Sequence, residues 1–200
     1  MTAKKKIMLR RILNEIFGFL ETAFISLFIV LMIFTYVLKF ATVNGSSMER
    51  TLMPDDRIVS TALYFSCKSG DIVIIDANEA VLFDDDRNLV HNSGLNKQIV
   101  KRIIATEGQT VMIDFDKGAV YVDNVMLDEP YITGLTFIDE GAFTNNYPIT
   151  VPEGYVFVLG DNRSVSKDSR SAEVGLISEK NICGKVLMKL SSDNKISFVD

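Results

Sequence analysis

Three short segments carry residues whose types and spacing can perform hydrolytic chemistry. The first is Asn44–Leu52, in which Gly45 and Ser46 precede Ser47. A serine behind a glycine in a tight turn can present its hydroxyl as a nucleophile and its backbone N–H as half of an oxyanion hole. Most segments of this kind are ordinary turns, and on local sequence Ser46 is a rival nucleophile.

The second segment is the apolar run around Lys101. Alternate side chains of a strand share a face, so Lys101 would lie with Ile99 and Ile103 while Arg102 points to the opposite side. Burial disfavours an ammonium group and lowers a lysine pKa from about 10.4. A neutral amine near pH 7 is a suitable base for a serine. The alternative is a strand lysine whose charged end reaches solvent.

The third segment, Gly160–Arg170, follows the apolar run Tyr155–Leu159 and reads GDNRSVSKDSR. It interleaves aspartates and arginines with serines and an asparagine. Such side chains can hold loops and orient a lysine through charge-assisted hydrogen bonds. A solvated polar loop is the alternative.

Composition excludes several other classes of function. The formal net charge of −5 argues against a nucleic-acid partner. His91 is the only histidine, which argues against a Ser-His-Asp triad and against most histidine-based zinc sites. Cys67 and Cys183 lie far apart without a CxxC motif. A disulfide between them and two buried thiols are both compatible with the sequence.

An uncharged apolar run, Thr22–Leu38, precedes these segments. Its 17 residues are at the short end of what spans a hydrocarbon core, and extension back to Ile16 gives ample length but includes Glu21. Basic residues are concentrated before the run, which places the N-terminus in the cytoplasm by the positive-inside rule: Lys4, Lys5, Lys6, Arg10 and Arg11.

We interpret this run as an uncleaved anchor. A cleaved secretory signal has a shorter apolar core, and here the small residues after it carry the candidate nucleophile. A buried core helix is the other alternative. The predicted organisation is a basic cytoplasmic N-terminus over 1–15, a transmembrane anchor over 16–40, and an exported domain over 41–200.

The exported part is predicted to have a mostly antiparallel β fold, either folded sheets or a barrel. Short runs rich in Val and Ile are separated by turn signals such as Asp116-Lys117-Gly118, and no apolar helical periodicity of useful length follows residue 45. Asp84–Lys97 is interpreted as a polar, exposed insertion or loop, and 134–148 as a long loop or small subdomain. The predicted strands are Arg57–Leu63, Asp71–Asp76, Gln98–Ile104, Thr110–Asp114, Ala119–Val122, Tyr155–Leu159 and Lys185–Leu190.

Taken together and in this order, the three segments resemble the type I signal peptidases. The family's Ser-Met motif is similar to Ser47-Met48 followed by Thr51-Leu52, its lysine strand to Val100–Ile104, and its Gly-Asp-Asn-Arg box to Gly160–Arg163 with Ser166–Arg170. The resemblance covers nearly the whole chain, and the last box is quite specific. A compact chain with one anchor looks like the Gram-positive form.

The resemblance implies a role for each matching residue. Ser47 would be the nucleophile, with its backbone N–H stabilising the oxyanion, and Lys101 the general base. Ser166 would hydrogen-bond and orient the lysine. The remaining members of the box would support the site, Asp168 and Arg170 as a pair, and Asp161 and Arg163 as structural residues.

The chain departs from the family pattern at three places. Arg50 stands where the family usually has proline, two residues after the methionine. Gly45 stands where some members have a serine whose hydroxyl helps to bind the oxyanion. Ala105–Gly108 replaces the usual Gly-x-Pro-Gly. These changes concern loop geometry and substrate range, whereas both members of the Ser–Lys pair are retained.

The implied function is removal of signal peptides from exported preproteins at the outer face of the cytoplasmic membrane. The partners would be preproteins with A-x-A-type cleavage sites and the lipid bilayer, without nucleic acid, metal or organic cofactor. The implied fold is that of folded sheets shared with self-cleaving repressors. One alternative is such a self-cleaving peptidase, which predicts a DNA-binding N-terminal domain. The other is a catalytically silent, membrane-anchored scaffold.

Overall fold

The computed structural model describes residues 3–64, 66–143, 146–193 and 195–199, and of residues 3–7 and 9 the backbone alone. The side chains of Lys4, Lys5 and Lys6, on which the predicted orientation partly rests, lie outside the described residues. So do two residues of the predicted 134–148 loop, 144 and 145, and the extreme ends of the predicted domains.

The first of two compact units ends at Lys39 and consists mainly of one apolar helix. Helix α1 runs from Ala3 to Met32 and continues as a π-helical turn over Ile33–Val37. Residues Arg10–Val37 are long and apolar enough to cross a membrane. Their side chains are almost all exposed, which is the property expected of a helix that faces lipid rather than a protein core.

The second unit begins at Phe40 and is a mostly β fold, as predicted. Its largest sheet is antiparallel, with the order β1-β2-β13-β3-β6-β11-β12 and with β14 paired to β13. A smaller sheet has the order β10-β7-β8-β9, and β4 and β5 form a hairpin. The strands are β1 Leu38–Thr42, β2 Arg57–Thr61, β3 Ile72–Asp76, β4 Glu79–Phe83, β5 Leu89–Ser93, β6 Gln98–Ala105, β7 Thr110–Asp114, β8 Ala119–Val122, β9 Val125–Met126, β10 Ile149–Thr150, β11 Tyr155–Leu159, β12 Ile177–Ser178, β13 Ile182–Leu190 and β14 Ile196–Phe198.

All seven predicted strands are present, three of them with the predicted bounds: β7, β8 and β11. The stretch Asp84–Lys97, expected to be an exposed insertion or loop, is largely exposed, but it is not all loop, because β5 lies within it and pairs along its length with β4. The 134–148 stretch has no strand in its described residues, yet it contributes the fully buried Phe143 to the core.

Three apolar clusters hold the second unit together. One lies between the smaller sheet and β6 and β11, and a second joins β3, β6, β11 and β12. The third packs β2, β3 and β13 against the segment that contains Met48 and Leu52. Because β6 contributes to both of the first two clusters, it is central in the fold and is held in place by packing on both faces.

Candidate active site

The segment with the candidate nucleophile forms a succession of tight turns. Glu49 N–H donates to Ser46 O at 3.1 Å, and Leu52 N–H donates to Met48 O at 2.7 Å. The side chains of Met48 and Leu52 are buried in the third apolar cluster and fasten the turns to the sheet. Ser47 directly precedes the first of these anchors and is half-buried at the start of the turns.

Lys101 meets Ser47 directly although the two are 54 residues apart. Its Nζ donates to Ser47 Oγ over 2.7 Å and to Val100 O over 3.1 Å. Lys101 is buried, with 2% of its surface exposed, in the middle of β6. Strand β6 pairs with β3 on one side and β11 on the other, so the backbone that carries the lysine is fixed from both sides.

Burial lowers the pKa of Lys101 from 10.5 to about 8. The neighbouring Asp168 carboxylate opposes this shift in pKa, while the positive charge of Lys97 reinforces it. At a pKa of about 8, about a tenth of the molecules carry a neutral amine at pH 7. The lysine therefore has both the geometry and the protonation equilibrium of a general base.

The same contact distinguishes the two candidate serines. The Lys101 amine is bonded to the hydroxyl of Ser47, and none of the hydrogen bonds found among the described residues joins it to Ser46. The Ser47 backbone N–H likewise donates to no group in the described part of the chain, so it is free for a substrate carbonyl. This geometry favours Ser47.

The Gly160–Arg170 segment lies against the nucleophile segment. Asn162 N–H donates to Ser47 O at 3.0 Å, and the Asn162 side chain donates to Glu49 Oε2 at 3.0 Å. A Cβ at Gly160 would lie 2.6 Å from Ser47 O and 2.1 Å from Ser166 Oγ. Only glycine fits at this close approach of two backbones.

Arg102 and Asp161 connect the lysine strand, the nucleophile segment and this box. Both side chains are buried, and the guanidinium donates to both carboxylate oxygens at 2.9 Å. Thr51 donates its hydroxyl to the same carboxylate. The Arg102 guanidinium also lies over the ring of Tyr131, 4.0 Å from the ring centre. The arrangement ties Thr51, four residues after Ser47, to the residue that follows Lys101.

Arg163 is buried and takes part in a second ion pair. Its guanidinium pairs with Glu129 and donates to Thr136 Oγ1 at 2.6 Å. Its Nε also donates to Gly160 O at 3.0 Å. Arg163 therefore supports the backbone at Gly160, the glycine that closely approaches Ser47 O.

Asp168 and Arg170, expected from the sequence to pair, are joined by a fully buried ion pair of 2.9 Å. Asp168 also accepts a hydrogen bond from Gly160 N–H at 3.0 Å. Arg170 donates to Arg163 O at 2.9 Å and closes the segment on itself. The segment is thus a folded, buried structure, and the interpretation of it as a solvated loop is excluded.

Ser166 does not make the hydrogen bond that was expected of it. Its hydroxyl is fully buried, yet Ser166 Oγ has no hydrogen-bond partner among the described residues. The expected bond to Lys101 is therefore absent, and the amine donates to Ser47 Oγ and Val100 O instead. Burial without a partner is costly for a hydroxyl.

A cleft of about 540 Å³ opens beside Ser47 and Lys101. Its apolar wall includes Val43, Ile58 and Ile74, and two lysines, Lys97 and Lys167, line it as well. Its volume lies within the range of about 300–1,000 Å³ that is typical of ligand-binding clefts.

Comparison with known proteins determines the family. A family model described as "Signal peptidase, peptidase S26" matches residues 16–191. The chain belongs to this family.

Relatives within the signal peptidase family match most of the chain. It is 33% identical to Signal peptidase I of Bacillus licheniformis over 194 residues, 94% of this chain and 95% of that protein. It is 31% identical to Signal peptidase IB of Staphylococcus aureus over 182 residues, 84% of this chain and 83% of that protein. A crystal structure of a signal peptidase I from Enterococcus faecalis is 24% identical, covers 60% of this chain and 97% of that one, and has a TM-score of 0.43.

The family assignment makes this chain a peptidase. Neither cysteine forms a disulfide: Cys67 and Cys183 are both free and partly buried. Burial raises the pKa of the Cys67 thiol to about 12, which makes it a poor nucleophile at neutral pH. Within the described part of the chain, no cluster of His, Cys, Asp and Glu could hold a metal ion.

Sequence reasoning missed the contacts of three residues that support this candidate site. Thr51 was part of the recognised motif, but its link to Asp161 had no sequence signal. Tyr131 and Glu129 lie in a segment without any motif, and they contact Arg102 and Arg163 respectively. Partners that are about 30 residues apart along the chain cannot be paired from composition or periodicity.

Proposed function

We propose that this chain is a membrane-bound serine endopeptidase that removes N-terminal signal peptides from exported preproteins, with Ser47 as the nucleophile and Lys101 as the general base. The observation that carries the proposal is the 2.7 Å contact between Lys101 Nζ and Ser47 Oγ, made by a buried lysine. Lys101 is the only buried lysine among the described residues, and the serine hydroxyl to which its amine donates is that of Ser47. The family to which the chain belongs supports the reaction class.

The catalytic cycle begins when Lys101 loses its proton. The contact with Ser47 then reverses, and the serine hydroxyl donates to the neutral amine. As Ser47 Oγ attacks the scissile carbonyl carbon, its proton passes to Lys101 Nζ, and the new oxyanion accepts a hydrogen bond from the Ser47 N–H. Collapse of the intermediate breaks the C–N bond, and Lys101 returns the proton to the leaving amine.

Water completes the cycle. The signal peptide is held as an ester on Ser47 after the first half of the reaction. Lys101 takes a proton from a water molecule that attacks this ester, and the released Ser47 oxygen recovers a proton from the lysine. The scheme needs no metal or organic cofactor.

The proposed substrate is an extended segment with an A-x-A-type cleavage site. An extended peptide can add its backbone to a sheet edge, with alternate side chains entering the cleft. The cleft wall of Val43, Ile58 and Ile74 offers apolar contact to small side chains. Relatives whose names describe them as signal peptidases are consistent with substrates of this class.

The proposed anchor is the segment 16–40, with 1–15 in the cytoplasm and 41–200 outside it. The apolar helical stretch Arg10–Val37 supports membrane attachment by its length and composition. The orientation follows from the basic residues before the span. Protease added to intact cells should digest the exported domain; its protection in cells and digestion only after lysis would refute the orientation.

Cleavage of a purified preprotein tests the reaction. The full chain in detergent should cut directly after an A-x-A-type site, as read by mass spectrometry, and Ser47→Ala and Lys101→Ala should abolish cutting. Ser46→Ala and Lys97→Ala are the matched controls and should retain it. A folded wild type that cuts nothing would favour the scaffold alternative, and activity that survives in both Ala variants would exclude the Ser–Lys mechanism.

A further inference from the structure

Arg50 has an unusual backbone conformation inside the nucleophile segment. Its φ is +78°, in the left-handed region that side chains rarely adopt. Arg50 is the third residue of the turn that begins at Met48 and closes with Thr51 N–H donating to Met48 O at 3.1 Å. A positive φ at this position is characteristic of type II turns, where glycine or asparagine is usual. An arginine there needs a compensating contact.

The compensating contact is a long-range hydrogen bond. The Arg50 guanidinium donates through Nη1 to Ile132 O at 2.9 Å, between residues 82 positions apart. The next residue, Thr133, makes two backbone hydrogen bonds to the Gly160–Arg170 segment. Its N–H donates to Asp161 O at 2.7 Å, and its carbonyl accepts from Arg163 N–H at 3.2 Å. Arg50 therefore binds a backbone carbonyl next to a residue that is itself hydrogen-bonded to the Gly160–Arg170 segment.

The Ser47–Arg50 stretch is thus held at both ends by the same support. At Ser47, the carbonyl accepts from Asn162 N–H at 3.0 Å. At Glu49, the carboxylate accepts from the Asn162 side chain at 3.0 Å. Arg50 supplies the last point of attachment, through Ile132. These bonds oppose rotation of the turn, which would move the Ser47 hydroxyl away from Lys101.

We propose that Arg50 is a positioning residue, whose left-handed turn and hydrogen bond to Ile132 O hold the Ser47 hydroxyl against Lys101. This inference rests on the proposed Ser47–Lys101 mechanism. Arg50 touches neither reacting group and acts only through the backbone that carries Ser47. Because its side chain is exposed, it adds little to the apolar core, and its loss should affect catalysis more than folding.

The proposal explains why proline cannot take this place in the present chain. Proline restricts φ to about −65°, which is incompatible with the φ of +78° at Arg50. Arg50→Pro restores the residue that the family motif usually has, yet it should break the turn and abolish cleavage here. Arg50→Gly accepts the left-handed backbone but lacks the guanidinium, so it isolates the contribution of the hydrogen bond.

The test compares kinetic constants for cleavage of one preprotein by the full chain in detergent. Loss of one hydrogen bond of ordinary strength corresponds to about a fivefold change. Arg50→Ala and Arg50→Gly should lower kcat by about fivefold with KM unchanged, and Arg50→Lys, which can still donate to Ile132 O, should recover most of kcat. Thermal midpoints of these variants should stay close to that of the wild type.

Arg87 provides a matched control. It is also an exposed arginine with a left-handed backbone, φ +62°, in the connection between β4 and β5. Arg87→Ala should leave kcat unchanged. An unchanged kcat in Arg50→Ala, or a fall in kcat that Arg50→Lys does not recover and that matches a lowered midpoint, would overturn the inference. Either result, obtained with an active wild type and an inactive Ser47→Ala, leaves the proposed function intact, whereas an inactive wild type refutes that function itself.

Discussion

Arg102 and Asp161 form a buried ion pair in which the guanidinium meets both carboxylate oxygens at 2.9 Å. The pair joins β6, which carries Lys101, to the segment whose backbone contacts Ser47. Their charges are shielded from water, with exposed side-chain fractions of 3% and 1%. Removal of one partner from a buried ion pair of this kind strongly destabilises the fold, because the other charge stays buried.

Removal of the Asp161 charge should therefore destabilise the fold strongly. Asp161→Asn leaves the Arg102 charge buried without its carboxylate partner, and we expect a loss of about 3–5 kcal/mol in the free energy of unfolding. Denaturant titration of the full chain in detergent measures it. Asp114→Asn is the control, because Asp114 pairs with the exposed Lys117 and should leave the midpoint unchanged. Equal effects of the two substitutions would contradict the prediction.

The pH dependence of cleavage should follow the protonation of Lys101. Only the neutral amine can accept the serine proton, and burial sets the pKa of this group to about 8. The kcat/KM should therefore rise about tenfold per pH unit below that value and level off above it. A profile that is flat from pH 6 to 9 would exclude Lys101 as the base.

The charge of a second lysine, Lys97, should shift this pH profile. The positive charge of Lys97 lowers the pKa of Lys101, so Lys97→Ala should move the acidic limb of kcat/KM to higher pH. Measurement at constant low ionic strength preserves the effect. Lys117→Ala, which removes an exposed charge in another part of the fold, should leave the limb in place. A common shift in both variants would indicate a general charge effect instead.

The buried lysine should also lower stability at neutral pH. The pKa of Lys101 falls from 10.5 to about 8 on folding, so the unfolded chain binds more protons between these values and stability rises with pH through that window. The cost at pH 7 is about 3 kcal/mol. Lys101→Met should recover much of it at pH 7 and little at pH 10.5, as followed by denaturant titration. A gain of equal size at both pH values would contradict this origin.

How far the fold follows from the sequence depends on the burial of each strand. Strand β11 is almost entirely apolar and buried, and its bounds were predicted to the residue. Strand β5, with the sequence LVHNS, is largely exposed, and among the described strands it pairs with β4 alone. It lacks the alternation of apolar and polar residues by which strands are recognised, so it was interpreted as part of an insertion or loop.

In the candidate site, the local motifs were predictable from the sequence and the long-range contacts were not. The motif around Ser47 and the apolar neighbours of Lys101 gave sequence signals, and the two side chains meet. The pairing of Arg163 with Glu129, 34 residues away, has no local signature. Nor does the left-handed turn at Arg50, which is held by a contact with Ile132 that only the folded chain creates. Long-range contacts of this kind are tertiary properties and cannot be derived from local pattern.

Gly160 should tolerate no side chain. A Cβ at this position would lie 2.1 Å from Ser166 Oγ and 2.6 Å from Ser47 O, and the second neighbour is backbone that cannot yield without moving the proposed nucleophile. Gly160→Ala should therefore lower kcat by at least tenfold and destabilise the fold by about 1–3 kcal/mol, the usual cost of overpacking. Both quantities can be measured on the full chain in detergent. The control is Gly18→Ala, where a Cβ meets nothing within 4 Å. Near-normal kcat in Gly160→Ala would mean that the contact between the box and Ser47 O does not set the position of the hydroxyl.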